Sequence, residues 1–224
     1  MTSKTFEKII DQQVRKWDIR RLAHQRSKKD ALPIITICRE PGSGGKLVAR
    51  RIAEKLGFDL FDREIIHKMV KCANRSKKLI ETLDERSLSV LEDWIATLTF
   101  EKHLWPDQYL KHLMKVIGTI GKHGRAIILG RGANFILPPN DRVSIRIIAP
   151  FEMRAHHVAR DFNVHETEAS RRILKTESER KAFIKKYFHA KICDPFNYDL
   201  VLNRARLSIE DTADAVIELT INHN

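Results

Sequence analysis

The chain has 224 residues, 42% apolar and 31% charged, with a formal net charge of +12. That is the composition of a soluble globular protein of one large domain or two small ones, and no run approaches the roughly 18 apolar residues of a membrane helix. The positive balance suits a polyanionic ligand, but 41 basic residues spread along the chain among 29 acids favour a cleft for small polyphosphates over a nucleic-acid surface.

Met1-Thr2-Ser3-Lys4 lacks the apolar core of a secretion signal. The three scattered cysteines, Cys38, Cys72 and Cys193, have no metal-ligand spacing, so reduced thiols in a cytoplasm are expected and no metal site is. Residues 4–29 have a helical pattern, with Phe6, Ile9, Ile10, Gln13 and Trp17 on one side and a basic run from Arg20 to Lys29. The expectation is an N-terminal basic helical arm over residues 1–30, its apolar stripe packed on the domain that follows. A basic amphipathic helix also suits a membrane surface, nucleic acid or a protein partner.

The apolar, β-branched run Ile34-Ile35-Thr36-Ile37 predicts a buried strand. Pro41-Gly42-Ser43-Gly44-Gly45 then predicts a turn into an amphipathic helix from about Lys46 to Leu56. Strand, glycine turn and helix form a phosphate cradle, where side-chain-poor residues let N–H groups approach an anion at a helix N-terminus. Against the pattern G-x-x-x-x-G-K-[ST], Gly45-Lys46 fits, Glu40 takes the first glycine position, and Leu47 replaces the hydroxyl that reaches Mg²⁺. Gly42, Ser43, Gly44, Gly45, Lys46 and Leu47 are the candidate nucleotide-binding residues, with the Lys46 ammonium able to bridge outer phosphates.

Gly57 is a helix stop. Phe58–Phe61 predicts a second strand, with Asp62 and Arg63 at its C-terminal end, where open α/β sheets bind ligands. Asp62 is equally suited to cap the next helix. Residues 74–124 are helix-rich, broken at Leu104-Trp105-Pro106. Arg125–Leu129 predicts a third strand, followed by Arg131 between two glycines, placed to reach a phosphate or to pair with a carboxylate. Val143–Ala149 predicts a fourth strand. Residues 151–188 are helical and rich in cations, including Arg154 and Arg180, as a closing lid over transferring phosphates would be. Tyr198–Asn203 predicts the last strand. Ser208, with Asp211 three residues on, starts the final helix.

These segments in this order resemble the cytidylate kinase-like family, a branch of the nucleoside monophosphate kinases, over about residues 33–221. The resemblance is carried by Ile35–Glu40 with Gly42–Gly45, Phe61–Ile66, Gly130–Ala133, Glu177–Phe183 and Tyr198–Asn203. It implies a P-loop NTPase-like three-layer α/β fold over residues 31–224: a five-stranded parallel sheet wrapped by helices, with a helical lid at about 151–188. It also implies ATP with Mg²⁺, and γ-phosphoryl transfer to CMP or dCMP by alignment and charge neutralisation. By motif position Gly42–Lys46 would hold ATP phosphates, Asp62, Arg63 and Arg131 the monophosphate, and Arg154 and Arg180 would line the lid, with Arg154 a further substrate contact. Lys46, Arg131 and Arg180 are the expected catalytic residues.

The chain departs from the family pattern in three places: Leu47, Gly132 where an aspartate follows the Gly-Arg pair, and Arg63-Glu64 in place of Ser-Gly. The family's pyrimidine contacts therefore do not carry over. A nucleotide-binding regulatory or scaffold protein is the alternative function, and nucleic-acid binding through the arm a third. For Arg180, a local pair with Glu177 competes with the lid role.

Overall fold

The structure is a computed structural model that describes residues 11–19, 33–71, 73–104 and 106–222. Phe6, Ile9, Ile10, the basic run from Arg20 to Lys29, Cys72 and Trp105 lie outside the described residues. Five strands, β1 (Ile34–Arg39), β2 (Asp59–Phe61), β3 (Ala126–Leu129), β4 (Arg142–Ile148) and β5 (Leu200–Asn203), form one sheet in the order β2-β3-β1-β4-β5. Every pairing is parallel, with Ile35 of β1 opposite Ile127 on one side and Val143 on the other. All five C-terminal ends therefore lie along one edge, as the expected α/β fold requires.

Alternation along β1 sorts its side chains between two layers. Ile35 and Ile37 face the layer made by α2 (Gly45–Leu56) and α10 (Ile209–Ile221), packing with Val48, Ile52 and Val216. Ile34 belongs to the opposite core, shared with Ile66 of α3 (Arg63–Lys71) and with Leu113 and Ile117 of α6 (Gln108–His123). Each such residue, fully buried, contributes about 1.5–3 kcal/mol of transfer free energy. Next to α6 lie α4 (Ala73–Ile80) and α5 (Glu85–Glu101).

Local signals start and stop the helices. Gly57 closes α2 at φ 63°, in the left-handed region. Ser208 and Asp211 form the reciprocal capping box of α10. Asp107 caps α6 just after the Leu104–Pro106 break. Residues 11–19 are helical (α1), with Trp17 buried in the same core as α6 and stacked on His123 at 3.9 Å between ring centroids.

The cation-rich segment spans two environments. Helix α8 (Phe151–Phe162) and the first half of α9 (Glu166–Phe188) share a small core of Ala155, Val158, Ala169 and Ile173. The last turns of α9 instead send Ile184 and Phe188 into the main core, so the segment expected as a lid is anchored at its C-terminal end. No helix among the described residues is long and apolar enough to cross a membrane.

Candidate active site

The glycine turn joins β1 to α2 at the C-terminal edge of the sheet. Gly42 and Gly44 have φ of 78° and 77°, a conformation costly for other residues. Space forbids a side chain as well: a Cβ would lie 2.5 Å from the Arg154 carbonyl at Gly42 and 2.6 Å from Arg39 Cβ at Gly45. The first turn of α2 offers N–H groups that no preceding helical carbonyl can accept. Gly44, Gly45 and Lys46 line the broad cleft in front of it.

Polar groups behind the turn hold its shape. Ser43 Oγ donates to the Glu40 carbonyl at 2.9 Å, Arg204 Nη1 to the Ser43 carbonyl at 3.0 Å, and His157 Nδ1 to the Gly42 carbonyl at 2.9 Å. The Glu40 carboxylate accepts from the Ala149 N–H at 3.2 Å and meets Arg146 at 3.5 Å and Arg154 at 3.4 Å. Glu40 thus braces the turn to β4 and α8 from the position where the pattern has glycine.

Lys46 leaves the first turn of α2 toward β2, its Nζ 3.3 Å from Asp62 Oδ2. Asp62 Oδ1 accepts from the N–H groups of Glu64 and Ile65 at 2.9 and 3.0 Å, capping α3. Burial raises the Asp62 pKa, but the N–H groups of Ile65 and Glu64 and the Lys46 ammonium outweigh it, so the carboxyl titrates below its ordinary value.

A second, smaller pocket adjoins the cleft. Arg39, Arg63, Arg131 and Arg180 line it together with an apolar wall that includes Phe135 and Phe183. Arg39, Glu179 and Arg180 line both cavities and so stand where their contents meet. Arg180 Nη1 donates to the Arg39 carbonyl at 2.6 Å, while the Nε atoms of Arg131 and Arg180 are buried without a partner. Among the described residues, none of these four arginines is in an ion pair. Burial, then the charges of Arg180 and Arg63, push the Arg39 pKa down. Burial lowers those of Arg131 and Arg180 as well, with Arg63 adding to both. An anion entering the pocket would relieve this repulsion.

A model of the cytidylate kinase-like family matches residues 34–206. The chain belongs to this family. Its relatives include the cytidylate kinase of Staphylothermus marinus, 24% identical over 185 residues that cover 83% of this chain and 94% of the relative. The cytidylate kinase of Methanopyrus kandleri is 29% identical over 192 residues, covering 80% and 88%. The crystal structure of an uncharacterized protein from Eubacterium ventriosum is similar in fold, with a TM-score of 0.65 at 22% identity, covering 86% of this chain and 99% of that one.

Within this family member the expected residues divide into two groups. Gly42, Gly44, Gly45, Lys46 and Leu47 line the cleft, Arg63 and Arg131 line the pocket, and Arg180 lines both. Ser43 is buried behind the turn, and Asp62 is the cap and Lys46 partner just described. Arg154 differs from the expected substrate contact: only 6% exposed, it donates to the carbonyls of Ala149 (2.9 Å) and Pro41 (3.4 Å) and pairs with Glu177 at 2.6 Å. Its guanidinium is a strut between the glycine turn and α9. Because Glu177 is spent on Arg154, the competing Arg180–Glu177 pair is absent among the described residues. Gly132 has φ 68°, and a Cβ there would lie 2.4 Å from the Phe188 ring, which explains why no aspartate follows the Gly-Arg pair.

Arg39 and Arg204 are the site residues that the sequence reading passed over. Both sit at strand ends, Arg39 closing β1 and Arg204 following β5. The strand-end rule that singled out Asp62 and Arg131 applies equally to them.

Proposed function

We propose that the protein transfers the γ-phosphoryl group of ATP to a nucleoside monophosphate, with CMP or dCMP the foremost acceptor. The observation that carries this is the pair Arg39 and Arg180 lining both cavities, between a glycine phosphate cradle and an arginine-rich pocket. The ATP phosphates fit the cradle, since Gly44, Gly45 and Lys46 line the cleft at the N-terminus of α2. In the pocket, Arg63 and Arg131 suit an acceptor phosphate, and Phe183, with Arg131 5.9 Å over its ring, suits a planar base. The acceptor is already a phosphate oxygen, so the residues need only align two phosphates, neutralise charge and exclude water.

The residues around the turn do not fit a resident Mg²⁺. Leu47 has no hydroxyl, Ser43 Oγ is buried and donating, and the Glu40 and Asp62 carboxylates are engaged. No step here passes through a metal.

Membership in the cytidylate kinase-like family supports the kinase class, and the arginines and Phe183 of the pocket support the acceptor. A screen of the common nucleoside monophosphates with ATP tests it. Turnover with CMP or dCMP above the other monophosphates is the expected result; rates equal to the enzyme-free control for every acceptor would remove the proposal. Nucleotide binding with little catalysis is the second reading, favoured by Leu47. Turnover at ordinary kinase rates of about 1–100 s⁻¹ would exclude it.

A further inference from the structure

We propose that the donor site binds its nucleoside triphosphate without a protein-held divalent ion, because Lys46, steered by Asp62, supplies the cation in its place. This rests on the donor reading above. Mg²⁺ is a hard ion that takes oxygen ligands in a near-octahedral shell, usually one or two carboxylates and waters plus the substrate's phosphates. Around the glycine turn the oxygens of that kind are spent. Ser43 Oγ is buried and donates to the Glu40 carbonyl, and the Glu40 carboxylate is taken by Arg146, Arg154 and the Ala149 N–H. Leu47, 48% exposed, presents methyl groups to the cleft.

Asp62 is the remaining carboxylate beside the turn; of the other acids lining the cleft, Asp161 pairs with Arg160, and Glu179 sits on α9 where the cleft meets the smaller pocket. Oδ1 caps α3 and Oδ2 holds the Lys46 ammonium. A divalent ion reaching this carboxylate would have to displace Lys46 and then sit beside its charge. Among the described residues no group of three or more His, Cys, Asp or Glu side chains is placed to hold a metal.

Cations outnumber acids along the cleft, where Glu40, Asp161 and Glu179 are the lining carboxylates. Arg39, Lys46, Arg50, Arg172, Lys175 and Arg180 are among the side chains lining the cleft. The Lys46 side chain is 54% exposed and pairs with one carboxylate oxygen, which leaves donors of its ammonium for a phosphate. Asp62 is itself fixed by the helix cap, so the ammonium is held near the first turn of α2 before any nucleotide arrives. Lys46 and Asp62 together form a preorganised monovalent cation site, the reverse of a metal site in charge logic: the protein contributes the positive charge and the nucleotide the oxygens.

Calorimetry of the full chain with ATP in EDTA, and with ATP in excess MgCl₂, tests this. The expected dissociation constants agree within about threefold. Lys46→Ser removes the ammonium and installs a hydroxyl. It should weaken metal-free ATP by at least about tenfold and make binding depend on Mg²⁺. Lys46→Gln, with neither charge nor hydroxyl, should weaken both forms alike. Thermal midpoints should stay near wild type in both variants, since this side chain is half exposed. Wild-type protein that binds the Mg²⁺ complex about tenfold or more tightly than free ATP would overturn the proposal and leave the donor reading intact. Undiminished metal-free binding by Lys46→Gln would also overturn it, by removing Lys46 as the cation. Failure of either form of ATP to bind wild type would overturn the donor reading, and this inference with it.

Discussion

On the proposed donor side, the groups placed to meet a phosphate are backbone N–H groups and the Lys46 ammonium, and the polar side chains near them are tied to one another: Ser43 to Glu40, Glu40 to Arg146 and Arg154, Arg204 to the Ser43 carbonyl, Lys46 to Asp62. On the proposed acceptor side, Arg39, Arg63, Arg131 and Arg180 line a common pocket, and among the described residues none of them is in an ion pair. In the first arrangement the cations and carboxylates are paired and the turn is held in one conformation, so its recognition depends on shape as well as on the Lys46 charge and is destroyed by a misplaced atom. The second is a like-charge cluster whose members depress one another's pKa values, so its recognition lies in charge and is released by an anion. Side-chain changes should therefore act on chemistry and acceptor affinity on one side, and on folding and donor affinity on the other.

The largest expected effect is at the seam. Arg180 lines both cavities, and its planar fork can hold a transferring phosphoryl group at two oxygens, which lysine cannot do. Arg180→Lys should lower turnover by about tenfold to a thousandfold with a thermal midpoint close to wild type. Turnover within about twofold of wild type would remove Arg180 from the chemistry.

Gly42→Ala attacks the donor side through shape. It combines a left-handed φ with a Cβ 2.5 Å from the backbone of Arg154. The expected loss is about 2–4 kcal/mol of stability by denaturant titration, together with loss of ATP binding. A stable variant with normal ATP affinity would mean that the turn is not read by its shape.

Arg131→Lys keeps the charge of the acceptor pocket and removes the fork. Acceptor KM should rise by about tenfold while ATP affinity, measured by calorimetry, stays unchanged. Equal losses for both ligands would blur the division between the two sides.

The smallest effect concerns Asp62 and acid. Its folded-state pKa lies below the ordinary value, so its stabilisation is fully present above the unfolded pKa of 3.8 and is lost as pH falls through the lower folded value. Asp62→Asn keeps a capping oxygen, so it should cost less than about 1 kcal/mol at neutral pH and flatten the acid limb of stability. An unchanged acid limb would show that the carboxylate is not held as described.

Much of this fold is legible because its signals are local. The β-branched run of β1, the glycine turn, the stop at Gly57 and the Ser208–Asp211 box each act within one or two turns of chain. The parallel sheet follows from strands that alternate with helices, and its parallel order places Asp62 and Arg131 at the ligand edge. The same rule reaches Arg39 and Arg204, but position alone does not tell a strand-end arginine that lines a cavity from one that props a loop.

What sequence determined here is therefore the set of elements, their order and the chemical class of the edge residues, because these depend on neighbours within a few positions. Tertiary structure alone decided how the long cations are spent. Arg154 turns from the cleft to Glu177, Arg180 bonds the Arg39 carbonyl instead of Glu177, and Lys46 crosses to Asp62. Gly132 yields to Phe188, a residue far along the chain. The physical reason is reach: an arginine or lysine side chain can take any acceptor within several ångströms of its backbone, and only the folded packing specifies which one is there.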